Sequence, residues 1–198
     1  MDQTKFNQAI AKIDAANAQD PHLLEVDDQK LPWEIVHSER RTAWIRQLVG
    51  DHASEALLLA ARAQHILRWK IPRETYPRDR AGYLRWRQDL KKFHAESTAE
   101  ILQEVGYDEV IIERVKDLIL KKRLKLDPEV QALEDALCLV FLEEQFSDFA
   151  QKEADKIVGI VGKTWRKMSS RGRQFALSLS FTPEDRAIIE QALALSSG

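Results

Sequence analysis

Residues 57–94 read LLLAARAQHILRWKIPRETYPRDRAGYLRWRQDLKKFH: an apolar run, a proline-punctuated basic loop and an aromatic segment in succession. Leu57 to Ala61 is apolar on every side, which marks a central, enclosed helix. Ser54 is placed to cap it, and the periodicity predicts that it continues without a break to Trp69. A loop with Pro72 and Pro77 follows, then an aromatic helix from Gly82 towards Gly106. Between Arg62 and Lys92 there are ten Lys or Arg against three acids, although the whole chain carries −2. Charge segregated this strongly, with aromatic side chains among it, suits an anionic ligand.

Polar residues on apolar faces carry the functional argument. His65 shares a face with Leu58 and Ala61, and Arg68 and Trp69 extend that face by a turn. Tyr83, Arg87, Leu90 and His94 fall on one stripe of the next helix, with Trp86 beside it. Asp135 shares a face with Leu139, Leu142 and Phe146 in a segment, 127–148, that has seven acids and no Lys or Arg. Such groups must be paired, or must face a cavity. The stiff loop presents Arg73, Arg80 and Tyr76, and a guanidinium is a planar fork for phosphate or carboxylate. Each of these has a plainer reading: a histidine bonded to a carbonyl, arginines paired on the surface, a carboxylate neutralised by a lysine.

Elsewhere the chain reads as helices. Segments at 3–17, 33–49, 106–125, 128–148 and 155–165, and a last one capped by Thr182, have helical apolar spacing. Residues 21–32 read as a connector, and FALSLSF at 175–181 is the one short strand candidate. Lys121 to Lys125 crowd the C-terminal end of a helix, where cations suit the macrodipole. Gly162-Lys163-Thr164 echoes a phosphate loop, but Ile157 stands where that motif needs glycine, so the motif is rejected. Cys138 is the only cysteine, which excludes an intrachain disulfide, and it reads as a small core residue. No run of eighteen apolar residues and no signal-like leader is present, so a cytoplasmic protein with no membrane partner is expected. The expected fold class is all-α, a single-domain helical bundle over 1–198.

The order His37, His65, His94, Asp135, with HAESTAEILQEVGYDEVIIERVKDLI and LEDALCL around the later members, resembles the HD-domain phosphohydrolases. The match spans about 34–145, with a helical extension over 150–198. That resemblance implies an HD-like helical fold, a divalent metal held by His37, His65, His94 and Asp135, and His65, His94 and Asp135 as catalytic groups. Ile66 follows His65 where the HD signature has aspartate. Over nearly the whole chain, QHILRWKIPRETYPRDRAGYLRWR, LEDALCLVFLE and KTWRKMS resemble a family of soluble bacterial and fungal proteins known only as a domain of unknown function.

Three functions are expected from these features. The first is binding, with or without hydrolysis, of a phosphorylated small molecule or nucleotide. Arg68, Arg73, Arg80 and Arg87 would hold its anion, and Trp69, Tyr76, Tyr83 or Trp86 would stack on a ring. The second is a non-catalytic module for a nucleotide or RNA using the same side chains. The third is an interaction scaffold in which the acidic helix neutralises the basic loop.

Overall fold

A computed structural model describes residues 2–195. Ten α-helices, one β-hairpin, three short 3₁₀ turns and one π-helical turn make up its regular structure. The helices are α1 (Gln3–Asn17), α2 (Trp33–Val49), α3 (Glu55–Ala63), α4 (Arg80–Val105) and α5 (Glu109–Ile119). They continue with α6 (Pro128–Val140), α7 (Phe146–Lys152), α8 (Ala154–Lys167), α9 (Ser170–Leu177) and α10 (Pro183–Ala194). The all-α reading holds, and no described helix is long and apolar enough to cross a membrane.

Local chemistry sets most of the helix starts. Asp2, Ser54, Asp79, Asp108, Asp127, Ser169 and Thr182 each accept a backbone N–H of the turn they open. Pro128 and Pro183 occupy first-turn positions where a missing N–H costs nothing. Gly106 ends α4 in the left-handed region. Gly82 serves a different purpose. A Cβ there would lie 2.2 Å from the Pro77 carbonyl oxygen, so only glycine lets the loop fold back onto the first turn of α4.

The apolar run of α3 is central, as expected. Leu57, Leu59, Ala60, Ala61 and Ala63 have no exposed surface, and α1, α2, α5 and α6 pack around them. One continuous core extends from Phe6 to Ala192, with α8 and α10 packed together and α9 lying on α6.

Several boundaries differ from the sequence expectation. The connector 21–32 contains an antiparallel hairpin, β1 (Leu23–Val26) and β2 (Gln29–Pro32), in the register Val26 with Gln29. Its turn residues Asp27 and Asp28 both have positive φ, as a two-residue type I′ loop requires. The FALSLSF candidate is not a strand: α9 runs through Leu177 and a turn follows. The acidic segment is interrupted by a π-helical turn at Phe141–Gln145. The lysine run is a loop after α5, with Lys121, Arg123 and Lys125 all at positive φ.

The most consequential difference is the end of α3. The expected continuation to Trp69 fails because other elements take the carbonyls that further helical turns would use. Arg41 Nε donates to Ala61 O at 3.0 Å, Asn17 Nδ2 to Arg62 O at 3.2 Å, and His94 Nδ1 to Ile66 O at 2.7 Å. Leu67 then turns left-handed at φ 54°. Side chains of α1, α2 and α4 thus cap this helix from outside. The turn brings His65 and Arg68 to the wall of a cavity.

Candidate functional site

The cavity has about 1020 Å³ of free volume, a size that suits a metabolite or nucleotide. The hairpin approach, α2, the turn after α3, the basic loop and α4 form one side; Lys121, α6 and α8 form the other. A much smaller pocket of about 20 Å³ adjoins it, and the two share His65, Arg68, Arg87 and Lys121 as lining residues.

On α2, Glu34, His37 and Arg41 follow at i, i+3 and i+7 on one buried face. Arg41 is 1% exposed and forms an ion pair with Glu34, while its Nε serves the end of α3. Burial pushes the Glu34 carboxyl up, and Arg41 opposes that. His37 donates from Nδ1 to Trp33 O at 2.8 Å and stacks on the Trp33 ring, with centroids 4.4 Å apart. Its Nε2 is buried and has no hydrogen-bond partner.

His65 and His94 come together, with ring centroids 5.8 Å apart. His65 is half-buried and lines both cavities. Burial and then the Arg41 and Arg68 charges hold its pKa well below the usual range. His94 is fully buried on α4 and belongs to the small pocket. Burial brings its pKa down to about 3 even against the hydrogen bond to Ile66, and its Nε2 too has no partner. Both rings are therefore neutral.

The cations divide into paired and unpaired groups. Lys121 and Lys167 both pair with Glu134 of α6, and Lys121 leads in holding that carboxyl below its ordinary value despite its burial. The Arg68 guanidinium makes no hydrogen bond or ion pair with another described residue, and the Glu34 charge acts on it only at a distance. Its guanidinium lies 5.1 Å from the Trp86 ring centroid. Among the described residues the Arg87 guanidinium hydrogen-bonds only to the Tyr83 hydroxyl, at 3.3 Å, and Lys91 forms no ion pair, though the Glu134 charge acts on both. Burial, then Arg87, pulls the Arg68 pKa down; burial, then Lys121 and Arg87, does the same for Lys91. Half-buried cations that repel one another, offset only at a distance by Glu34 and Glu134, form the electrostatic focus of this site.

Of the four arginines expected to hold an anion, Arg68, Arg73 and Arg87 line the large cavity and Arg80 does not. Arg80 is exposed in the first turn of α4. Arg73 is spent partly on its own loop, donating to Tyr76 O at 2.9 Å and Pro77 O at 2.7 Å. Among the aromatics, Trp69 and Trp86 line the cavity. Arg68 and Arg73 already lie over Trp86, and Arg73 and Arg87 over Tyr83, which is largely exposed. Tyr76 donates its hydroxyl to Asp89 at 3.0 Å. Trp69 lines the cavity with no ring or cation of the described residues over it, and Trp33 lines it with His37 stacked on one face.

Asp135 lines neither cavity. Its carboxylate accepts from Ser169 N at 2.8 Å, Ser169 Oγ at 2.5 Å and Gln131 Nε2 at 2.9 Å. The donor set His37, His65, His94 and Asp135 therefore does not fit a metal. Its carboxylate is engaged with Ser169 and Gln131 outside the cavities, and the carbonyl bonds at Nδ1 of His37 and His94, which leave each Nε2 lone pair free, do not make up for that missing ligand. Among the described residues no group of three or more His, Cys, Asp or Glu is arranged to hold a metal ion.

Sequence reasoning missed Glu34, Arg41, Gln64, Lys91, Lys121, Glu134 and Lys167. The i, i+3, i+7 spacing of Glu34, His37 and Arg41 was an available signal. Lys121 had none, because its place depends on a left-handed backbone in a loop.

Fold and site define an all-helical protein built around a basic, histidine-bearing cavity. The chain belongs to the family described as domain of unknown function DUF4202, whose model matches residues 7–189. Comparison with curated proteins and with solved structures gives no match.

Proposed function

We propose that this protein binds a phosphorylated small molecule or nucleotide in the large cavity. Its phosphate would sit against Arg68, Arg87 and Lys121, with Lys91 behind them in the adjoining small pocket, and a ring could stack on Trp69 or Trp33. One observation carries the reading: Arg68, Arg87 and Lys91 converge on the small pocket beside the cavity, and none of the three forms an ion pair with a described carboxylate. A cation held half-buried and unpaired costs stability, and an anionic ligand repays that cost. The HD-like order of His37, His65 and His94 belongs to the same reading only as a resemblance of sequence order, without the metal set. A cytoplasmic location would give access to such metabolites.

Charge pairing weighs against the scaffold alternative. The acidic segment finds its partners away from the basic loop: Arg114 for Asp127 and Glu129, Arg40 for Glu143 and Glu144, and Lys121 and Lys167 for Glu134. It does not neutralise the loop arginines. An RNA module is the remaining alternative, and the exposed Arg78 and Arg80 would be its contacts.

The test is calorimetry with inorganic pyrophosphate, AMP, ADP and hexose phosphates, alongside a short single-stranded RNA. Binding of a phosphorylated small molecule, weakened about tenfold or more by Arg68→Gln or Lys91→Gln, supports the proposal. Retention of affinity in both variants, or binding of RNA alone, overturns it.

A further inference from the structure

The small pocket holds a second unexplained arrangement. Gln64 donates its Nε2 to Ile119 O at 3.3 Å, which fixes the amide with Oε1 free; that oxygen is buried and has no partner. His94 donates from Nδ1 to Ile66 O, which fixes the tautomer and leaves Nε2 as a lone-pair acceptor, also buried and unpartnered. Both residues line the same pocket of about 20 Å³. A space of that size accommodates one water, and two acceptors call for an occupant with two donors. The other walls are Arg68, Arg87, Lys91 and Lys121, with His65 on the side shared with the large cavity.

Resting on the phosphate-binding reading above, we infer that Gln64 and His94 hold a water that attacks the terminal phosphorus of a diphosphate bound in the large cavity. Charge favours a diphosphate over a single phosphate. Seven Lys or Arg line the two cavities against four carboxylates, an excess of three. A diphosphate monoester carries about −3 at neutral pH.

The step balances within the groups named. The water oxygen forms a bond to phosphorus as the bridging P–O bond breaks. The bridging electron pair stays on the leaving phosphate oxygen, which needs no proton because it departs as a phosphate anion. The water's proton passes to His94 Nε2. Burial first, and then the Arg68 and Arg41 charges, suppress the basicity of that ring; the bound diphosphate offsets the two charges and adds its own negative field when the proton must move. Arg68, Arg87 and Lys121 neutralise the charge on the transferred phosphoryl group. Gln64 is a positioning residue, since it orients the water without taking its proton.

The experiment uses the whole protein in EDTA with ADP and inorganic pyrophosphate, measuring affinity, phosphate release and incorporation of ¹⁸O from labelled water. The expected result is binding, release, and one label in each phosphate derived from the terminal group. His94→Asn keeps a donor for Ile66 O and removes Nε2. It should lower turnover by ~100-fold or more while affinity stays within about threefold. Gln64→Met, which changes no charge, should lower turnover at unchanged affinity. Binding without phosphate release by the unaltered protein overturns the water attack and leaves the binding site standing. Turnover unaffected by His94→Asn, or lost in EDTA, also overturns it. Failure of both probes to bind overturns the site reading and this one with it.

Discussion

Asp135 and Ser169 are joined twice: the carboxylate accepts from the serine backbone N at 2.8 Å and from its Oγ at 2.5 Å. Ser169 Oγ in turn accepts from Gly172 N at 3.0 Å, so the residue that caps α9 is itself held by α6. A Cβ on Gly172 would lie 2.6 Å from the Asp135 carboxylate carbon, which leaves room only for glycine.

That geometry makes Asp135 a clamp for α9. Asp135→Ala is expected to destabilise the protein by about 2–4 kcal/mol in urea unfolding, because it orphans charge-assisted donors in a buried place. Gly172→Ala should cost a comparable amount, since the carboxylate has no open side to move to. Folded Asp135→Ala protein should bind pyrophosphate as the parent does. Loss of binding at intact helicity would return Asp135 to the site.

Acid sensitivity should trace to the buried imidazoles. The folded-state pKa of His94 is down at about 3 against an ordinary 6.5, so the unfolded chain binds more protons between those values. Stability therefore rises with pH across that window and is lost as pH falls from 6.5 towards 3. For His94 alone the loss is on the order of 2 kcal/mol by pH 5. His65 and His37, shifted in the same direction, add to it. His94→Asn should flatten the pH profile of the urea midpoint on the acid side; an unchanged slope would mean that the ring is solvated and titrates normally.

Removing an unpaired cation should stabilise the ligand-free protein. Arg68→Gln and Lys91→Gln each relieve repulsion within the Arg68, Arg87, Lys91 and Lys121 group, and a gain of about 0.5–1 kcal/mol is expected. Arg41→Gln should do the reverse. It strands Glu34 and the Ala61 carbonyl, and breaking such a buried pair costs about 3–5 kcal/mol. Equal destabilisation by all three would show that Arg68 and Lys91 have protein partners in solution.

Cys138 should be inert in the native state. Burial and then the Glu134 charge push its thiol up to about 12, and 6% of the residue is exposed. At pH 8 the thiolate fraction is about one in ten thousand, so a disulfide reagent should react no faster than the protein opens. Rapid labelling of folded protein would contradict the burial.

The helix starts were legible in the sequence because a cap is a local event: Ser54, Asp127 and Thr182 each bond an N–H within three residues. The hairpin was not, since four-residue strands bounded by prolines and closed by Asp27-Asp28 show too short an alternation to stand out. Part of the site was legible too. His65, Arg68, Arg87 and His94 attracted notice as polar residues on otherwise apolar faces, and the fold brings all four to the small pocket. Asp135 showed the same pattern for another reason, because the sequence cannot tell a carboxylate that faces a cavity from one that clamps a neighbouring helix.

By itself, then, the sequence determined the all-helical class, the central place of α3 and the concentration of positive charge between Arg62 and Lys92. Those depend on composition and on periods of a few residues. Only the tertiary structure decided that α3 stops at Ala63, which of the cations find carboxylates, and which polar atoms are left without partners. These outcomes rest on contacts between residues far apart in the chain, such as Arg41 with Ala61 O, His94 with Ile66 O, and Lys121 with Glu134. Hydrogen bonding of a buried group is satisfied in three dimensions, and no local pattern records it.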